Sequence, residues 1–194
     1  MNLIKIVFDY MMAIILLILL GWIMVILLVI SFFDTKKWGF YRQQRIGKKG
    51  KVFIIFKIRT MINERENQEY ITTILDSRIT PLGRIMRKYK LDELPQLINI
   101  VLGDMSFVGP RPDVKGYADE LKESDRIVLS VKPGITSPAS LKYRNEEVIL
   151  SKVKNPKKYN DEVIWPDKVR MNKEYVLNWS FKKDLVILYK TFFN

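Results

Sequence analysis

Asp92 and Glu93 stand side by side within Arg84–Pro112, RIMRKYKLDELPQLINIVLGDMSFVGPRP. Arg87 and Lys88 come about one turn before them, and Arg111 closes the stretch. A carboxylate kept ionised among cations can attack an electrophile, and the cations can hold phosphate oxygens. The same spacing also admits a plain reading, with Asp92 as an N-cap and Glu93 as a first-turn acid. The chain has no His and no Cys. Zinc fingers, Cys or His nucleophiles, His general bases and disulfides are therefore excluded. Chemistry must come from Asp, Glu, Lys, Tyr, Ser or Thr.

Two predicted helices position the acid pair. Thr80-Pro81 starts the first, with Thr as N-cap and Pro at N1. Leu82, Ile85, Met86 and Tyr89 form its apolar stripe, opposite Arg84, Arg87 and Lys88. The second is expected to begin at Asp92, because Pro95 is tolerable only in a first turn, and to stop at Gly103. Leu94, Leu97, Ile98, Val101 and Leu102 share one face; Asp92, Gln96 and Asn99 share the opposite one. At this helix start, unpaired backbone N–H groups favour a carboxylate anion at Asp92, and the adjacent Glu93 opposes it.

Around this centre, the 194 residues carry a net charge of +12, from 33 Lys+Arg against 21 Asp+Glu. Such an excess implies an anionic partner: phospholipid, a phosphate-bearing substrate or nucleic acid. Tyr10–Phe33 has no charged residue and is long enough to enter or cross a bilayer. Lys36, Lys37, Arg42, Arg45, Lys48, Lys49, Lys51, Lys57 and Arg59 follow with no intervening acid. This pattern places the rest of the chain on the cytoplasmic face, in reach of anionic headgroups. The expected division is a membrane-inserted segment, 1–34, and one domain, 35–194, of about 160 residues.

Within that domain, Gly39–Arg45 and Lys51–Thr60 read as a hairpin, with Lys57 and Arg59 on one face. Asn63–Ser77 reads as a loop with helical turns. Asp113–Ser130 reads as a helix without chemistry, Val131–Thr136 as a turn and Leu141–Trp165 as irregular. A helix is expected at Lys168–Leu177. Phe181, Leu185, Leu188 and Phe192, with Val186, Tyr189 and Phe193, make a final amphipathic helix against membrane or core. The fold class is α+β, mostly α.

The chain resembles the bacterial sugar transferases that begin glycan assembly, the monotopic phosphoglycosyl transferases acting on polyprenyl phosphate. The likeness is carried by Asp76-x-Arg78-x-Thr80, Gly83, Arg87, Leu91-Asp92-Glu93-Leu94-Pro95-Gln96-Leu97, Asn99, Gly103-Asp104-Met105-Ser106 and Val108-Gly109-Pro110-Arg111-Pro112. Phe56-Lys57-x-Arg59-Thr60-Met61, Lys132–Thr136, Arg144-Asn145, Tyr175, Asn178, Ser180 and Asp184 extend it over nearly the whole chain. The family commonly has Ser-Pro inside the hydrophobic segment, making it re-entrant. Gly21-Trp22 stands there in this chain and permits a bend without forcing one. A re-entrant and a spanning helix are both open.

The resemblance implies transfer of a phospho-sugar from a UDP-sugar to undecaprenyl phosphate, with release of UMP. It implies Asp92 as nucleophile and as a contact for Mg²⁺, with Glu93 as its catalytic partner. Lys57, Arg59, Arg87, Arg111 and Arg144 are the expected phosphate and substrate contacts. A bacterial inner-membrane location and contact with membrane lipids are implied, a homodimer is left open, and no nucleic acid is expected. The rivals are a membrane-tethered basic module binding anionic lipid or nucleic acid, and a glycosyl transferase that releases UDP.

Overall fold

The computed structural model describes residues 2–62, 73 and 76–193. It is mostly helical, with two small sheets. The first helix, α1, runs from Leu3 to Thr35. Among the described residues it is the one helix long and apolar enough to cross a membrane. Most of its apolar side chains face outward, from Leu3 and Val7 through Trp22 to Phe33.

Its polar residues do the opposite. Lys5, Asp9, Ser31 and Thr35 are buried, on the face that meets the rest of the protein. Lys5 Nζ bonds Asp184 Oδ2 at 2.6 Å, and the Phe107 amide donates to Asp9 Oδ1 at 3.3 Å. At the other end, Ser31 Oγ donates to the Arg59 carbonyl at 2.6 Å, and Thr80 Oγ1 donates to Asp34. Both ends of α1 are thus fastened to the same domain. A straight helix of 33 residues would be about 50 Å long.

Strands β1 (Phe40–Ile46) and β2 (Val52–Ile58) form the expected antiparallel hairpin, in which Tyr41 faces Lys57 and Arg45 faces Phe53. The expected loop over Asn63–Ser77 falls outside the described residues, apart from Thr73, Asp76 and Ser77. Helix α2 (Pro81–Lys88) starts as expected, the Gly83 amide donating to Thr80 Oγ1 at 2.8 Å. Its stripe divides, however. Met86 is buried with Gly83, whereas Ile85 and Tyr89 are exposed. Gly83 explains the division: its Cα lies so close to the Thr60 carbonyl that a Cβ would collide with it. The helix therefore docks through Gly83 and Met86 and leaves Ile85 and Tyr89 outside.

The next helix begins earlier and more tightly than expected. Leu91–Glu93 is a 3₁₀ turn following Lys90, whose φ is +57°, and α3 proper is Gln96–Val101. Asp92 is therefore inside a turn and is not an N-cap. The polar face predicted for this segment is also buried. Asn99 accepts from the Phe56 amide at 3.0 Å and donates to the Ile54 carbonyl at 2.7 Å, pinning α3 to β2. Leu102, assigned to the apolar stripe, is exposed. Gly103, with φ +86°, ends the helix as expected.

Strand β3 (Ser106–Val108) pairs in parallel with β4 (Gly134–Thr136), so the turn expected at Val131–Thr136 contains a strand. The two segments touch where Gly109 and Gly134 face each other's backbones with no room for a Cβ. Between them, Asp113–Ser130 is not an α-helix. It holds 3₁₀ turns at Ala118–Glu120 and Glu123–Ser130, with positive φ at Gly116 and Glu123 interrupting any longer helix. The stretch expected to be irregular folds as α4 (Pro138–Lys142), α5 (Glu146–Ser151) and α6 (Pro156–Tyr159). Ser137 and Asn155 cap the first and last of these, each with Pro at the start. A π-helical turn at Asn160–Ile164 leads into α7 (Trp165–Leu177), which starts three residues before the expected Lys168.

Helix α8 (Phe181–Phe193) buries Asp184 and Ile187, and leaves Tyr189, Phe192 and Phe193 exposed. The core gathers Ala13 of α1, Ile55, Leu97, Ile100, Met105, Phe107, Val108, Tyr175 and Ile187. Burying each large aliphatic chain there contributes about 1.5–3 kcal/mol. The apolar first half of α1 is thus part of the core that supports the β2–α3 contact.

Candidate active site

Asp92 and Glu93 are both buried, and their surroundings differ. Arg111 donates to both Glu93 oxygens, from Nη1 to Oε2 at 3.2 Å and from Nη2 to Oε1. Lys57 Nζ reaches Glu93 Oε1 at 3.4 Å. Burial disfavours the Glu93 anion, but Arg111 and Lys57 overcome it and hold its pKa well below the usual range. Glu93 is a fixed anion.

Asp92 makes no such pair among the described residues. Its Oδ1 is buried and has no hydrogen-bond partner among the described residues. Burial first, and the Glu93 charge second, raise the Asp92 pKa against the pull of Lys57, Arg87 and Lys90. The helix-start effect expected to hold Asp92 ionised is therefore outweighed. A raised pKa also means a more basic carboxylate, and so a better nucleophile once it is ionised.

The backbone explains why these groups meet. Lys57 projects from β2, and Asn99 fixes β2 against α3. Arg111 lies just beyond β3, on a turn held to β4 by the Gly134 amide, which donates to the Pro110 carbonyl at 2.9 Å. Arg87 leaves the last turn of α2, close enough for its charge to act on Asp92. Burial lowers the Lys57 ammonium to about 8 even with Glu93 beside it. The Glu93 carboxylate raises the Arg111 pKa further.

Of the expected contacts, Lys57, Arg111 and Glu93 are in direct contact, with Asp92 and Arg87 adjoining. Arg59 shares the Lys57 face of the hairpin but donates from Nε to the Trp38 carbonyl at 3.1 Å and stacks on Tyr41, 5.1 Å from the ring centre. Arg144 is exposed just beyond α4, with no bond to the acid pair. Two neighbours were not anticipated. Arg45, on the same hairpin face, donates from Nη1 to the Pro112 carbonyl at 3.4 Å and carries its charge near Arg111. Strand alternation applied to β1 as well as β2 would have found it. Glu147 pairs with Arg87 from sixty residues away, and no local pattern signals that contact.

The structure thus brings together a buried acid pair ringed by cations and a helix long and apolar enough to cross a membrane. The family model described as bacterial sugar transferase matches residues 1–194. The chain is 38% identical over 149 residues to the uncharacterized sugar transferase EpsL of Bacillus subtilis, covering 77% of this chain and 65% of that protein. It is 33% identical over 200 residues to the exopolysaccharide production protein ExoY of Sinorhizobium fredii, covering 95% of this chain and 81% of the relative. The UDP-glucose:undecaprenyl-phosphate glucose-1-phosphate transferase of Escherichia coli is 35% identical over 159 residues, covering 79% of this chain and 32% of the relative. The chain thus spans just under two thirds of EpsL and about a third of the glucose-1-phosphate transferase. On the match along its whole length, the chain belongs to the bacterial sugar transferase family.

Proposed function

We propose that the protein transfers a sugar 1-phosphate from a UDP-sugar to a polyprenyl phosphate and releases UMP. The observation that carries this reading is the division of labour between two adjacent buried acids. Glu93 is locked as an anion by Arg111 and Lys57, while Asp92 is more basic and has an oxygen without a hydrogen-bond partner among the described residues. The relative from Escherichia coli is named for this chemistry with glucose.

In this mechanism an Asp92 oxygen attacks the sugar-bearing phosphorus of the UDP-sugar. The bond to the bridging oxygen breaks, and UMP leaves with the electron pair. The sugar phosphate is then held on Asp92 as an acyl phosphate. An oxygen of the polyprenyl phosphate attacks the same phosphorus and returns Asp92 as a carboxylate. Lys57, Arg87 and Arg111 offset the charge of two anionic substrates that use the site in turn. Glu93 keeps Arg111 and Lys57 in place.

Mg²⁺ fits the donor set in a limited way. Among the described residues, Asp92 Oδ1 is a buried carboxylate oxygen with no hydrogen-bond partner, and there is no cluster of three or more ligating side chains. Asp92 would hold the ion together with substrate oxygens, and the ion would neutralise phosphate charge there.

The two fastened ends of α1 support a membrane placement for it. A helix perpendicular to the bilayer would carry its ends to opposite faces, yet Lys5 and Ser31 both bind the same basic domain. We place α1 as entering and staying on one face, the cytoplasmic face of the bacterial inner membrane, where the basic run after Thr35 meets anionic lipid. The test is to incubate detergent-purified full-length protein with undecaprenyl phosphate, Mg²⁺ and a panel of UDP-sugars. UMP release with one of them supports the reading. Release of UDP, or no nucleotide release from any sugar, rejects it.

A further inference from the structure

Two acids pair with the cations of this site, and they are held in different ways. Glu93 is buried and shared by Arg111 and Lys57. Glu146 reaches Lys168 at 2.6 Å. Its neighbour Glu147 turns to Arg87 Nη2. The Glu147 side chain is 36% exposed, against 8% for Glu93. Helix α5, which carries it, sends Leu150 alone to a fully buried position.

Arg87 is better anchored than its partner. Its Nη1 lies 3.5 Å from Thr60 Oγ1, and its Nε is buried with no partner among the described residues. The guanidinium therefore has a donor in reserve on a fixed stem, while the carboxylate it pairs with is partly open to water. Ion pairs of that kind are weak and exchange readily. A diphosphate carries more charge than a carboxylate and can accept from Nε and Nη together.

We propose that Glu147 is a counter-ion that Arg87 gives up to the incoming diphosphate, so that Glu147 sets how tightly the phosphates bind. The inference rests on Arg87 being a phosphate contact in the proposed reaction. No covalent bond is made or broken in the exchange: Glu147 returns to water, and phosphate oxygens take the Arg87 donors.

The experiment compares wild type with Glu147→Gln, and with Glu147→Ser as a second charge-removing variant. KM for the UDP-sugar should fall about two- to fivefold at low ionic strength, the size expected of a partly screened ion pair. The difference should shrink at roughly 0.5 M salt and vanish when Arg87→Ala is present in both proteins. A KM that is unchanged or higher overturns the proposal, and a rise rescued by Glu147→Asp makes Glu147 a positioning residue instead. Calorimetry with inorganic pyrophosphate reads the same exchange without turnover. Tighter pyrophosphate binding by Glu147→Gln upholds it even if no UDP-sugar yields UMP. Equal binding overturns it even where UMP release stands.

Discussion

Arg111 and Glu93, eighteen residues apart, are joined through both guanidinium Nη atoms and both carboxylate oxygens. This fork fixes the Glu93 charge one residue from Asp92, and that charge is the second contribution to Asp92's raised pKa, after burial. The pair thus links the anion that stays to the anion that reacts.

Replacing Arg111 by Lys keeps one positive charge and loses the two-pronged geometry. We expect UMP release to fall about tenfold or more with Arg111→Lys, and about a hundredfold with Arg111→Ala. Steady-state kinetics on both variants decide the matter. Equal, wild-type rates in Arg111→Lys would show that charge alone suffices and that the fork has no function.

Asp92→Asn should abolish turnover, with a loss of at least about a thousandfold. It should also leave the fold intact and raise the thermal midpoint, because a buried carboxylate with an unbonded oxygen next to an anion costs stability. Mass spectrometry of wild type quenched with UDP-sugar alone should find a sugar phosphate on the peptide that contains Asp92. An adduct on any other side chain would remove Asp92 from its role.

The two ends of the pH profile follow from different residues. As pH falls, Asp92 takes up its proton at a pH above that of an ordinary aspartate, because burial raises its pKa, and turnover declines. As pH rises through about 8, Lys57 loses its charge and phosphate affinity weakens. The expected profile of kcat/KM is bell-shaped. Lys57→Arg should abolish the alkaline limb near 8, and a limb that stays in place would exclude Lys57 as its source. Stability runs the other way. Lys57 titrates at about 8 when folded against an ordinary value of 10.5, so the unfolded chain binds more protons in that window. Wild type should therefore gain stability relative to Lys57→Met as pH rises from 8 to 10.5, while its activity falls.

Much of this was legible in the residues. The hairpin came from alternation and Gly-rich turn chemistry, α2 from Thr80-Pro81, and the helix stop from Gly103. The acid pair stood out because two carboxylates among cations are unusual on an apolar-striped helix. What periodicity missed was tertiary. Asn99 looked like a solvent-facing residue, but its amide matches two backbone groups of β2 and is buried for that reason. Strands β3 and β4 are three residues each, too short for alternation to register. The Arg87–Glu147 pair depends on where α5 packs, which no local pattern encodes.

The buried pair at the root of α1 gives a stability prediction independent of catalysis. Lys5 is 4% and Asp184 2% exposed, and Asp184 also accepts from Tyr175 Oη at 2.7 Å and Trp179 Nε1 at 3.1 Å. Lys5→Met leaves that carboxylate with two neutral donors and no cation, which should cost about 3 kcal/mol. Asp184→Asn leaves the buried ammonium with Asp9 as its anionic neighbour and should cost less than Lys5→Met. Combining Lys5→Met with Asp184→Asn removes both charges, relieves the repulsion between Asp184 and Asp9, and keeps an acceptor for Tyr175 and Trp179, so the double variant should be more stable than Lys5→Met alone. Thermal unfolding in detergent tests this ordering. Additive losses in the double variant would mean that Lys5 and Asp184 act separately, and that α1 is held at this end by its apolar contacts with Phe107 and Phe181 through Phe8.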